Sequence, residues 1–170
     1  IGLFGELSAG SEVKIEDIHL KEVNITGDEY VGALAGRTGS PSVVTNVHVS
    51  GTVSGTSNVG GLIGRADGNI LNNSFSSTNV EASDDSYPNV GGLVGGNYGP
   101  VENSYSTGVV SAPTNNNAGG LIGFSGGTVD DSYWDEDSSG KTDTNDGDDD
   151  AGTGLSTSEM QGLDASDNMD

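Results

Sequence analysis

A Gly-Leu motif returns five times in this chain, and its spacing leaves few folds open. It reads GLFG at 2–5, GALAG at 32–36, GGLIG at 60–64, GGLVG at 91–95 and GGLIG at 119–123. Its leucines, Leu3, Leu34, Leu62, Leu93 and Leu121, follow at steps of 31, 28, 31 and 28 residues. A second landmark trails each copy: an aliphatic residue, Asn or Asp two positions on, and an aromatic residue or His two further. The series runs Ile15-Asp17-His19, Val44-Asn46-His48, Leu71-Asn73-Phe75, Val101-Asn103-Tyr105 and Val129-Asp131-Tyr133. A lone Ile or Val comes next, at Ile25, Val53, Val80 and Val110.

Segments this short and glycine-rich do not make helices, since each interior Gly costs a helix roughly 1 kcal/mol relative to Ala. Val, Ile, Thr, Tyr and Phe at the apolar positions favour strands. Short strands at a fixed period, separated by Gly and Asn corners, predict an all-β chain: a parallel β-helix or β-solenoid of about five coils. No coil buries its own apolar face, so stacked coils share one thin core. The repeats occupy 1–134, an acidic loop 135–152, and a C-terminal cap and tail 153–170. Within the cap, Ser156-Thr157-Ser158-Glu159 spells a capping box, which predicts a short capping helix over about 157–163. Ile1-Gly2-Leu3-Phe4-Gly5 begins mid-motif. An upstream segment or a second subunit is therefore expected to cover the first coil, because bare β edges attract pairing. Head-to-tail contacts of that kind would propagate into a filament.

Only 31% of the 170 residues are hydrophobic, and 26 acidic against 5 basic residues give a net charge of −21. Such values alone lean towards disorder, but a thin core filled partly by Gly and Ser needs few large side chains. The acidity excludes phosphate-directed nucleic-acid binding, which requires Lys and Arg. It suits a protein kept soluble in high salt, as in halophiles. There is no cysteine to cross-link the fold. No apolar run reaches the ~18 residues of a membrane span. Two sequons, at Asn24 and Asn72, would be glycan acceptors in an exported chain. These features point to an extracellular, cell-surface setting.

GGLIG and GGLVG followed by NSYSTGVVS resemble the GLUG-motif repeats of bacterial and archaeal surface proteins. The ending DSYWDEDSSGKT … GTGLSTSEMQG resembles the close of such arrays. His19, His48 and Ala33 depart from the pattern. The resemblance implies a β-helical fold and a large secreted or cell-wall protein, often adhesin-like, with no activity of its own. Some members are joined to metallopeptidases, which need an HExxH helix that this sequence lacks.

Position by position, Asp17, Asn46, Asn73, Asn103 and Asp131 form a structural ladder at a corner whose left-handed conformation Asn tolerates. His19, His48, Phe75, Tyr105 and Tyr133 form an outward stripe. Turning them inward instead would expose Ile18, Leu20, Val47 and Val49, at about 1.5–3 kcal/mol each. Such a stripe binds carbohydrate or a partner, or simply stacks. Glu6, Arg37, Arg65, Gly96 and Phe124 make another column, in which Glu6 and Arg37 form a surface ion pair. Residues 135–146, DEDSSGKTDTND, approach a calcium loop, with Asp135, Asp137, Ser139, Asp143 and Asp146 as ligands and Gly140 at the turn. The departures are Ser139 and the final Asp. Two functions compete. One is a non-enzymatic structural or adhesive module that self-associates or abuts neighbouring domains of a longer surface protein. The other is a polysaccharide-binding or polysaccharide-cleaving β-helix, which would need a carboxylate pair in a cleft or a basic residue; no such pair stands out.

Overall fold

The computed structural model describes residues 1–8, 12–83, 88–113, 117–142 and 151–161. The chain winds as a β-solenoid with three parallel sheets running along its length. The first sheet has five strands: Phe4–Leu7, Ala35–Gly39, Ile63–Asp67, Val94–Asn97 and Ile122–Ser125. The second has four: Glu29–Val31, Ser57–Gly60, Asn89–Gly91 and Asn117–Gly119. The third holds ten strands and carries the long strands Val13–Thr26 and Ser42–Gly55 of the first two coils. Later coils break the same path into shorter pieces, such as Phe75–Ala82 and Tyr105–Ser106. Five rungs in one sheet and four in the next make about four complete turns, with the fifth partial.

The Gly-Leu motif sets the core. Leu34, Leu62 and Leu93 are fully buried, and Leu121 is nearly so. The glycine before Leu3, Leu62, Leu93 and Leu121 is required by close approach, while Ala33 takes that place before Leu34. A methyl group on Gly61 would strike the Gly92 carbonyl oxygen and the Ser76 and Thr78 hydroxyls. On Gly120 it would strike the Trp134 ring. Trp134 pairs in register with Ser106, which pairs with Ser76. The core column facing the glycines is therefore two small residues, then an indole at the last coil.

Serine runs through this core, which explains how the chain folds with so few large apolar groups. Ser74, Ser104 and Ser132 are buried. Their hydroxyls accept from the backbone N–H one coil below: Val47 N to Ser74 Oγ at 3.1 Å, Ser74 N to Ser104 Oγ at 3.2 Å, Ser104 N to Ser132 Oγ at 3.1 Å. Each hydroxyl donates to the carbonyl two residues back, at 2.9 Å, 2.7 Å and 2.8 Å. Buried hydroxyls are tolerated only when paired in this way.

The two ends differ. At the last coil, Thr153–Leu155 pairs in parallel with Tyr133–Asp135. Trp134, Ala151 and Leu155 are buried there, and Trp134 Nε1 donates to the Lys141 carbonyl at 3.0 Å. The capping box forms: Glu159 Oε2 accepts from Ser156 N at 2.8 Å, and Ser156 Oγ accepts from Glu159 N at 3.3 Å. Residues 157–159 form a turn rather than a helix, and 162–163 lie outside the described residues. The α-helix lies earlier, at Glu136–Ser139, inside the segment read from sequence as a loop. At the first coil, Ile1 is 53% and Leu3 56% exposed, and Val13, Ile15, Ile18, Leu20, Val23 and Ile25 are only partly buried.

Candidate functional site

The left-handed corner holds all five ladder residues. Asp17, Asn46, Asn73, Asn103 and Asp131 have φ of 55°, 55°, 47°, 49° and 45°. All five are exposed. Asn46 Nδ2 donates to Asp17 Oδ1 at 3.0 Å, and Asn103 Nδ2 donates to Asn72 Oδ1 at 3.3 Å. A continuous amide ladder lies elsewhere. Asn89 Nδ2 donates to Asn58 Oδ1 at 2.9 Å, and Asn117 Nδ2 to Asn89 Oδ1 at 3.0 Å. The sequence reading missed this ladder. Its signal is plain in retrospect: Asn stands two residues before each of the three Gly-Gly-Leu motifs.

The aromatic column lies on the outer side of the third sheet. His19 is exposed, His48, Phe75 and Tyr105 are half-buried, and Tyr133 is buried. Their neighbours Val47, Val49, Ser74, Ser76, Ser104 and Ser106 fill the core. The rings stack on one another. His48 and Phe75 have centroids 4.0 Å apart, and Phe75 lies 4.8 Å from Tyr105 with only 6° between planes. Phe75 thus has a ring against each face. A sugar stacks on a free aromatic face, and here the interior faces are covered by neighbours. Such stacking stabilises adjacent strands by about 0.5–1.5 kcal/mol per pair.

The column of Glu6, Arg37 and Arg65 is organised by a residue that the sequence reading overlooked, Asp67. Arg37 Nε reaches Asp67 Oδ2 at 2.6 Å, and Arg65 Nε reaches Oδ1 at 2.8 Å. Glu6 is a distant third partner, at 3.9 Å from Arg37. Burial pushes the Asp67 carboxyl up, but the hydrogen bonds from Arg65 and Arg37, with their charge, outweigh it and hold it below its ordinary range. Arg65 also lies 4.6 Å over the Tyr98 ring, which tilts against Phe124 at 5.5 Å. Both guanidinium groups already have a carboxylate partner.

In the acidic segment, Asp135 is buried and caps the helix Glu136–Ser139. Its Oδ1 accepts from Asp137 N at 3.1 Å and Ser138 N at 3.3 Å, and Thr157 Oγ1 lies 2.8–2.9 Å from both carboxylate oxygens. Asp137 Oδ2 accepts from Thr157 N at 2.9 Å. Ser139 Oγ accepts from Lys141 N at 3.2 Å. Asp135 and Asp137 therefore tie the last coil to its cap, and Ser139 bonds within its own segment. Asp143 and Asp146 lie outside the described residues. Among the described residues no group of three or more His, Asp or Glu is arranged to hold a metal. Asn24 is exposed on its strand, while Asn72 is half-buried and donates to Glu102 Oε2 at 3.3 Å. No helix of the described residues is long and apolar enough to cross a membrane.

Parallel coils, a glycine-leucine core and hydrogen-bonded Asn and Ser columns define a β-solenoid repeat protein. The chain carries a GLUG motif, which matches residues 86–111. The N-terminal region of the M26 IgA1-specific metallo-endopeptidases matches residues 2–51. An immunoglobulin A1 protease of Streptococcus sanguinis is 41% identical over 95 residues, which is 55% of this chain and 5% of that protein. One from Streptococcus pneumoniae is 36% identical over 119 residues, 66% of this chain and 6% of the relative. Halomucin of Haloquadratum walsbyi, a halophilic archaeon, is 42% identical over 81 residues, covering 47% of this chain and 1% of halomucin. The chain thus spans only a few per cent of the length of these relatives. A crystal structure described as an immunoglobulin A1 protease from Bacteroides ovatus superposes with a TM-score of 0.54 at 19% identity, covering 92% of this chain and 55% of that one. That likeness concerns the fold alone.

Proposed function

We propose that this chain is a non-enzymatic structural module of an extracellular surface protein, a stiff solenoid segment whose first coil is covered by another GLUG-type coil of a longer chain. The observation that carries this reading is the contrast between its ends. The last coil is closed by Trp134, Leu155 and the Ser156–Glu159 turn. The first coil presents an unpaired edge along Val13–Thr26, with six aliphatic side chains only partly buried. An edge of that length is a template for strand addition. A head-to-tail copy is disfavoured, because the last coil offers only short strands, such as Val129–Asp130 and Thr153–Leu155, against the 14-residue edge Val13–Thr26. A head-to-head copy is disfavoured by charge: Glu6, Glu12, Glu16, Asp17, Glu22 and Glu29 outnumber Lys14 and Lys21 at this end. A parallel coil continuing the existing register meets neither obstacle. The acidic surface and the similarity to halomucin support a high-salt, surface-exposed setting.

The test is to join one further GLUG coil, copied from residues 91–118, ahead of Ile1 and compare melting with that of the chain alone. In a solenoid each added interface contributes a nearest-neighbour term. A higher melting temperature with a single sharper transition is expected. An unchanged midpoint would count against the reading.

A further inference from the structure

The scaffold reading leaves the chain's two histidines unexplained. His19 and His48 pair in register on adjacent parallel strands, with ring centres 5.6 Å apart and planes at 75°. Their spacing exceeds that of the next two steps of the aromatic column, 4.0 Å and 4.8 Å. Two imidazoles sharing one ion have ring centres roughly 5–6 Å apart, given metal–nitrogen bonds of about 2.0–2.1 Å and a near-tetrahedral angle. Both rings open on a hollow of about 400 Å³ that Asp17, Ile18 and Asn46 also line. Asn46 orients the Asp17 carboxylate through the 3.0 Å hydrogen bond. Carboxylates at metal centres are commonly held by such outer hydrogen bonds.

We infer that His19 and His48 together bind one divalent transition-metal ion of the zinc, copper or nickel class, with Asp17 available in the same hollow and water completing the shell. Imidazole suits these ions, whereas carboxylates elsewhere on the chain suit hard cations. Asp17 is not already placed as a third ligand, so it joins by side-chain rotation. A metal here would pin the first coil to the second at the end that lacks a cover.

Zinc is the probe. The intact chain is titrated calorimetrically in high sodium chloride with excess magnesium, which occupies the general acidic surface, and melting is followed in parallel. The expected result is one saturable zinc site per chain and a raised melting temperature. His19→Gln, an exposed position at which folding is preserved, and His48→Gln should each weaken zinc at least tenfold and abolish the thermal shift. Zinc heats and melting shifts that persist unchanged in His19→Gln would overturn the site. So would a zinc-dependent dimer, which would show the ion shared between chains rather than within one.

Discussion

The first and last coils are written in the same repeat but finished differently. The last coil places Trp134, 3% exposed, where Ser76 and Ser106 stand in earlier coils, and lays Thr153–Leu155 over it. The first coil has aliphatics at the equivalent inward positions, Ile18 and Leu20, with nothing stacked above them. The second coil keeps valines there, Val47 and Val49, and the third and fourth use serines, Ser74, Ser76, Ser104 and Ser106. End coils need either a large cap or a neighbour, and among the described residues the cap lies on the last coil. The first coil also carries a bulge. The register shifts between Leu20 and Val23, and Glu22 takes φ of 53°. Bulges on an edge strand restrict which chain can pair with it.

The largest effect is expected from Trp134→Ala at the closed end. Removing a buried aromatic costs about 3–5 kcal/mol, read by chemical denaturation. Leu3→Ala at the open end, where the side chain is 56% exposed, should change stability by less than about 0.5 kcal/mol. Equal losses at the two sites would erase the contrast. In the middle coils, Ser104→Ala leaves Ser74 N without its partner, while the Glu102 carbonyl keeps the bond from Asn73 N. A loss of about 1–3 kcal/mol is expected. No loss would mean that the serine column is space-filling only.

Smaller effects come from the corner. Asn103→Ala places an ordinary side chain at φ of 49°, at about 1–2 kcal/mol. Asn103→Gly should lose less, since Gly adopts this conformation freely. If Ala and Gly behave alike, the left-handed backbone is not what selects Asn. The smallest effect is pH-dependent and confined to the open end. His48 packs against His19 and Phe75 beside Asp17, and its pKa is lowered first by burial and then by His19. A depressed histidine favours the neutral form when folded. Its contribution is therefore complete above the unfolded pKa near 6.5 and falls away as pH drops through the lower folded value. Melting monitored between neutrality and mild acid should show this slope in the wild type and not in His48→Phe.

The coil path could be read from sequence because the repeat fixes it. Each Leu of the Gly-Leu motif after the first lies in the core, and the Asn/Asp corner falls at the same point of every coil. What escaped was what depends on contacts between coils. The Asn58–Asn89–Asn117 ladder and the Ser74–Ser104–Ser132 column are residues of different repeats that meet only after stacking. Asp67 was passed over because its two arginines lie two residues and one coil away. The acidic run at 135–146 resembled a cation loop since carboxylate density is visible in sequence, while the bonds that Thr157 donates to Asp135, across 22 residues, are not.

The contrast between ends is tested most directly by hydrogen–deuterium exchange mapped along the isolated chain. The account predicts weak protection across residues 13–26, strong protection across 42–55, and strong protection across 133–135 and 153–155 beneath the cap. A monomer in which 13–26 is as well protected as 42–55 would contradict it, for the first coil would then be complete without a neighbour.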